Sequence, residues 1–399
     1  MTAPNAPMSE TDLGALIDRL RHATGGADEL AALLPENLPL YRNRSAAEMG
    51  RLRGYLLAAF ADTGVPQAAL PFVLESLATG HVAVEVAGAA VGLRGLAAPT
   101  ADILAALLRA VDNLAGADAT VSFEQCQPVW PYRRPTTALT EVVRTVGHFG
   151  SRAAAIRPQL ELLARQRERF PGPVLKEIQD VLDRLAGCVP EPPAPGHSCC
   201  AGPALREQPP GDTTMHAVLE DQDARATSFG EFFAGRPSIV AFFYTRCDNP
   251  YKCSLTISKL AALQNRLAER GMAGAVRLAA ITYDPDFDLP NRLRRYGADR
   301  GVRFGEDARF FRVTTGFQEI RQRFDLGVNY GPSTVNRHRS EVYLLNDEGG
   351  IAAAFTRQQW DVAAVLAAVE NLAQASSTGM DGPSGRIVTV WKSNSVSSV

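Results

Sequence analysis

Two cysteines and one distant histidine are the residues of this chain best suited to chemistry. Cys247 and Cys253 stand with five residues between them, and His338 follows about ninety residues later. Two thiols and one imidazole make a soft ligand set, and copper(I) is its natural guest. The same two thiols could instead exchange electrons as a dithiol and disulfide pair. Taken alone, two cysteines at a strand end are often only small buried apolar residues.

The elements around them are expected to position these groups. Ser238-Ile239-Val240-Ala241-Phe242-Phe243-Tyr244-Thr245-Arg246 reads as a buried strand running into Cys247. Leu255, Ile257, Leu260 and Leu263 read as the buried face of a helix over 254–270. His338 lies just before a second strand, Glu341-Val342-Tyr343-Leu344-Leu345. Cys253 then falls near a helix N-terminus, where free amide groups favour a thiolate. Arg246 and Lys252 add positive charge nearby. Arg337 and Arg339 flank His338 and are expected to favour its neutral, ligating form.

Residues 213–374 alternate strand and helix, which is the pattern of an α/β domain. Strands are expected at 214–219, 238–245, 276–283, 341–346 and 350–355. Helices are expected at 228–234, 254–270, 288–301, 315–324 and 360–373. Residues 1–187 read as all-helical, with apolar spacing of three and four across 46–63, 67–78, 82–95, 101–114, 137–149, 154–167 and 174–186. Paired helices of this kind are expected to form a HEAT-like repeat array or, failing that, an ordinary bundle. Such arrays usually present a surface to a protein partner, so a client protein is expected to bind there. Between the halves, 188–212 holds seven prolines and reads as a stiff linker. The tail 375–399 is rich in serine and glycine and reads as disordered.

A strand, a cysteine loop and a helix in that order resemble a thioredoxin-like active site. Further motifs narrow the resemblance. Phe242-Phe243-Tyr244-Thr245-Arg246-Cys247, Thr282-Tyr283-Asp284-Pro285-Asp286-Phe287-Asp288-Leu289-Pro290, Phe324-Asp325-Leu326-Gly327-Val328-Asn329-Tyr330, and His338 five residues before Tyr343 are similar to segments of Sco/SenC proteins. These are thioredoxin-like copper chaperones of cytochrome c oxidase assembly, usually membrane-anchored outside the cytoplasm. The resemblance covers roughly 210–372. It implies a thioredoxin-like fold and copper ligation by Cys247, Cys253 and His338, with Asp284 close enough to orient the site. One departure stands out. The family usually places three residues between its cysteines and a proline after the second, whereas here five intervene and Ser254 follows. The loop must fold back for both sulfurs to meet one metal, and Asn249-Pro250 is suited to help it do so.

The remaining candidates are weaker. His197-Ser198-Cys199-Cys200, with Cys188 nearby, forms a linker cluster that is a possible auxiliary copper or thiol group. Cys126 reads as structural, and His22, His81, His148 and His216 show no ligand spacing. Formal net charge is −2, with 46% hydrophobic residues. That balance favours neither nucleic acid nor an anionic membrane. No stretch approaches the roughly 18 apolar residues of a membrane span. The N-terminus has no basic and apolar leader pattern, so the expected location is the cytoplasm. Three functions follow in order: a copper-binding metallochaperone, a metal-free thiol-disulfide oxidoreductase using Cys247 and Cys253, and an adaptor whose thioredoxin-like half is degenerate.

Overall fold

A computed structural model describes residues 6–194 and 214–377, the side chains of the last four excepted. Cys199, Cys200, His197 and most of the 375–399 tail lie outside the described residues. The chain builds a helical N-terminal region, interrupted by one short hairpin where all-helical structure was expected, and a C-terminal region of seven-stranded sheet with flanking helices, an α plus α/β architecture.

The helical region is centred on Ala83–Gly92, packed between Ala46–Ala58 and Ala138–His148. Close approach explains its small residues. A Cβ on Gly88 would lie 2.0 Å from the Gly54 carbonyl oxygen, so only glycine lets these two backbones meet. The expected helix over 101–114 forms as Ala101–Leu114, capped by Thr100 through the Ile103 amide. The expected 154–167 helix is instead a 3₁₀ stretch, Gly150–Ile156, followed by Arg157–Arg165. A short hairpin of Thr120–Val121 with Thr136–Thr137 also interrupts the helices. The first residues of the expected linker lie against this region: the Ala194 amide donates to the Pro99 carbonyl and Glu191 to Ser151.

In the sheet, Ser238–Phe243 lies between Arg277–Thr282, parallel to it, and Glu341–Leu345, antiparallel. Every residue of Ser238–Phe243 is buried, as a near-continuous apolar strand requires when both sheet faces are covered. Ile351–Thr356 closes one edge, and Ala308–Thr315, Val218–Asp221 and Ala226–Ser228 extend the other. Ala308–Thr315 was not expected from the sequence. Its apolar run is broken by Arg309 and Arg312, whose charges are met across the sheet by Asp221 and Glu220. Val328–Tyr330 and Val335–His338, also unexpected, form a separate hairpin that ends in His338. The expected strand at 214–219 starts later, at Val218, after a 3₁₀ turn. The last helix, Val362–Ser377, runs past the expected start of the tail. Among the described residues no helix is long and apolar enough to cross a membrane.

Each region buries its own apolar core, and the two cores do not merge. Charged and amide side chains fill the seam between them. Arg357 binds Glu36 at 2.5 and 2.8 Å and Glu75 at 3.0 Å. Arg337 binds Glu85 at 2.5 and 2.6 Å. Asn329 donates to the Glu36 and Leu38 carbonyls, and Asn336 to those of Tyr41 and Arg44. Arg357 also stacks on Phe72 at 3.6 Å while holding a left-handed φ of 59°. A non-glycine residue bears that strain only where its surroundings over-determine it.

Candidate metal centre

Cys247 follows the buried strand, in the turn that leaves the sheet. Asp288 secures that turn. Its buried carboxylate accepts the Thr245 amide at 3.0 Å and the hydroxyls of Thr245 and Thr282. Asp284, expected to orient the site, instead grips Arg246 at 2.5 Å. Arg246 in turn lies 3.9 Å over the Phe287 ring. Its charge is thereby matched by Asp284.

The five-residue spacing is absorbed by one unusual turn. Asn249 accepts the Tyr251 amide at 2.9 Å, Pro250 supplies the first helical φ, and Pro250–Ser254 winds as a π-turn before the helix Leu255–Glu269. A π-turn accommodates extra residues within a helical segment and recurs at functional sites. Here it carries Cys253 back toward Cys247.

His338 ends the Val335–His338 strand and is buried. Its Nδ1 lies 2.9 Å from the Arg339 carbonyl oxygen. That carbonyl can only accept, so Nδ1 carries a proton and Nε2 is the ring nitrogen turned to the sulfurs. Nε2 lies 3.4 Å from Cys247 Sγ and 3.5 Å from Cys253 Sγ. The rings of Tyr244 and Tyr283 hold the imidazole from two sides, each with its centroid 5.4 Å away.

Among the described residues, Cys247, Cys253 and His338 bring their ligand atoms within 4.8 Å of one another. Metal bonds of about 2.0 Å to nitrogen and 2.3 Å to sulfur, as in zinc sites, place such atoms roughly 3.5–3.7 Å apart at tetrahedral to trigonal angles. The nitrogen–sulfur separations are already close to that range. Two thiols and an imidazole, with no carboxylate in the group, are the donors that suit copper(I).

The two thiols are unequal. A hydrogen bond from Cys253 and the nearby His338 hold Cys247 well below the ordinary thiol range, against the effect of its burial. Burial pushes Cys253 well above that range, and the neighbouring Cys247 adds to the effect. The sequence expected the helix N-terminus to acidify Cys253. The structure corrects this: Cys253 is only 1% exposed, and desolvation outweighs the helix end. Cys247 is partly exposed and forms the open side of the site.

The helical region reaches this centre, which the sequence did not anticipate. Lys252, between the cysteines, donates at 2.8 Å both to Glu75 and to the His338 carbonyl. Asn249 donates to the Thr79 carbonyl at 2.8 Å. His81, read as ordinary from its spacing, approaches Asp248 at 3.5 Å beside Cys247. Arg337 and Arg339, expected to act on His338, turn instead to Glu85 and Glu341. The presence of Lys252 inside the cysteine loop was the available sequence signal; its partner could not be read without the fold. Cys126 is a buried thiol in a loop of the helical region, and burial raises it to about 12. The Cys188 thiol donates to the Arg184 carbonyl.

Residues 208–374 match the SCO1/SenC family model. The C-terminal part of this chain is a SCO1/SenC domain. A search of curated proteins finds no match. Among solved structures, the chain is similar to a SCO1/SenC family lipoprotein from Bacillus anthracis, at 17% identity and a TM-score of 0.35, over 39% of this chain and 92% of that one. It is similar to Arabidopsis thaliana ScoI with copper bound at 20% identity and a TM-score of 0.33, over 40% and 96%. Yeast Sco1 with copper bound gives 20% identity and 0.30, over 41% and 92%. The SCO1/SenC match begins within the expected linker and leaves the helical region outside it.

Proposed function

We propose that this protein is a copper-binding metallochaperone that holds copper(I) through Cys247, Cys253 and His338. The observation that carries the reading is the convergence of His338 Nε2 on both sulfurs, with its other ring nitrogen tied to the Arg339 carbonyl. Copper is cargo in this reading. Cys247 offers a ready thiolate at the open side, Cys253 gives up its proton on loading, and His338 supplies a neutral nitrogen. The helical region, read as a HEAT-like array, serves as the docking surface for the client.

The test is anaerobic copper(I) titration of the reduced full chain against a coloured chelator. One tight equivalent is expected, weakened by Cys247→Ser, Cys253→Ser and His338→Ala each. Tight binding that survives all three changes, or no tight binding, would remove this reading.

A metal-free oxidoreductase is the second reading, favoured by the unequal thiol pair. Cys247 thiolate would attack a client disulfide and form a mixed disulfide. Cys253 would then displace the client thiol, leaving a Cys247–Cys253 disulfide and passing two electrons to the client. His338→Ala separates the two readings, because dithiol exchange survives it and copper ligation does not.

A further inference from the structure

The ligand set is assembled from two separate pieces of backbone, the cysteine loop and the His338 strand. One side chain of the helical region ties both together. Glu75 lies on the helix Leu70–Thr79 and is 1% exposed. Its Oε1 accepts Lys252 Nζ at 2.8 Å, from between the cysteines, and the Ser340 amide at 3.0 Å, two residues beyond His338. Lys252 closes the triangle by donating to the His338 carbonyl at 2.8 Å. The other oxygen, Oε2, takes Arg357 at 3.0 Å. Every oxygen of this carboxylate is therefore used, and two of its partners belong to the segments that carry the metal ligands.

The charges point the same way. Glu36, Glu75 and Glu85 face four buried cations, Arg53, Lys252, Arg337 and Arg357. Four cations thus meet three carboxylates, and Lys252 is the one of the four that lies within the cysteine loop. Two thiolates, a neutral imidazole and copper(I) together carry one negative charge. A buried centre of that charge is favoured by a matched cation nearby.

We propose that Glu75 is a positioning residue of the metal centre, by which the helical region holds the cysteine loop and the His338 strand in register. The proposal rests on the copper reading for its metal, but the positioning itself does not need copper. It also accounts for the long cysteine spacing. The extra loop residues include the lysine that reaches Glu75, so the loop is shaped by a partner outside the SCO1/SenC domain.

The experiment uses the full chain and compares Glu75→Gln, Lys252→Met, their combination and Glu36→Gln. Glu36→Gln neutralises another buried carboxylate of the seam, whose side chain binds Arg53 and Arg357 and touches neither ligand segment. Outer-shell changes at metal sites typically cost about 10–100-fold in affinity. Glu75→Gln and Lys252→Met are each expected to weaken copper(I) by at least about tenfold, and the double variant by no more than the worse single one. The near-ultraviolet thiolate-to-copper(I) absorption of the loaded protein should shift in both, which a change in stability alone would not produce. In the metal-free protein, alkylation of Cys253 should accelerate at least about tenfold in Glu75→Gln and little in Glu36→Gln. Wild-type affinity, unshifted absorption and unchanged Cys253 protection in both single variants would overturn the proposal. Equal effects from Glu36→Gln would also overturn it, by assigning the loss to general undocking. Should the wild type bind no copper(I) while Glu75→Gln still unmasks Cys253, the copper reading fails and the positioning role stands.

Discussion

The two cores of this protein and the seam between them are built on opposite physics. Leu57, Phe60, Val86 and Leu107 in the helical region, and Phe243, Ile257, Ile281 and Phe310 in the sheet region, sit in apolar surroundings almost free of solvent. Area burial stabilises such groups without regard to direction. The seam is equally buried but holds Glu36, Glu75, Glu85, Arg53, Lys252, Arg337 and Arg357. A buried ion pair adds little net stability over an apolar packing of the same shape, yet breaking one half of it is expensive. It therefore specifies one docking arrangement more sharply than it strengthens it. At the metal centre that distinction matters, because register rather than adhesion brings three ligands together.

Removing a single seam charge should break this contrast most visibly. Arg53 is fully buried, donates to the Leu34 carbonyl at 2.6 Å and faces both Glu36 and Glu85. Arg53→Met should destabilise the chain by about 3–5 kcal/mol in urea unfolding. A loss under about 1 kcal/mol would mean that the seam tolerates unpaired charge. The second effect is acid sensitivity. Burial alone would raise Glu85, but Arg337 and Arg53 outweigh it and lower it to about 2. A lowered carboxylate contributes its stability above its unfolded value and loses it as pH falls through the folded value. Stability should therefore drop by roughly 3 kcal/mol between about pH 4.5 and 2 on this group's account. Acid titration of Glu85→Gln should show a flatter curve across that window; an identical curve would reject the assignment.

A smaller effect separates the two thiols. Cys247 should react with an alkylating agent at neutral pH at least about tenfold faster than Cys253, as read by mass spectrometry of the reduced protein. Equal rates would contradict the asymmetry of the pair. The smallest effect belongs outside both cores and seam. Arg266 and Glu269 pair at 3.0 Å on the surface, and Arg266→Ala should change stability by less than about 0.5 kcal/mol. A cost comparable to that of Arg53→Met would erase the distinction between seam and surface charges.

Much of the sheet region was legible because its signals are local. Ser238–Phe243 and Glu341–Leu345 are dense in apolar and aromatic residues and appear within two residues of the expected bounds. Ala308–Thr315 was not legible, because the partners that make its arginines acceptable lie in a strand about ninety residues away. The candidate ligands themselves stood out by residue type and by their place beside strand ends. Which thiol is the more acidic did not. That order depends on how deeply Cys253 is buried and on what Cys247 receives from it, and neither is a property of spacing. His81 and Glu75 look unremarkable in sequence, because nothing local to either marks it as a neighbour of the cysteine loop.

By itself the sequence determined the apolar periodicities that make one region helical and the other a layered sheet. It also determined the soft donors on offer, since side-chain chemistry is carried by residue identity. Only the tertiary structure decided that a π-turn closes the five-residue gap, that His338 presents Nε2 to both sulfurs, and that Glu75 secures the loop from another region. The physical reason is range. Strand and helix preferences act over a few residues, whereas ligand geometry and buried charge pairing are set by groups brought together only when the chain has folded.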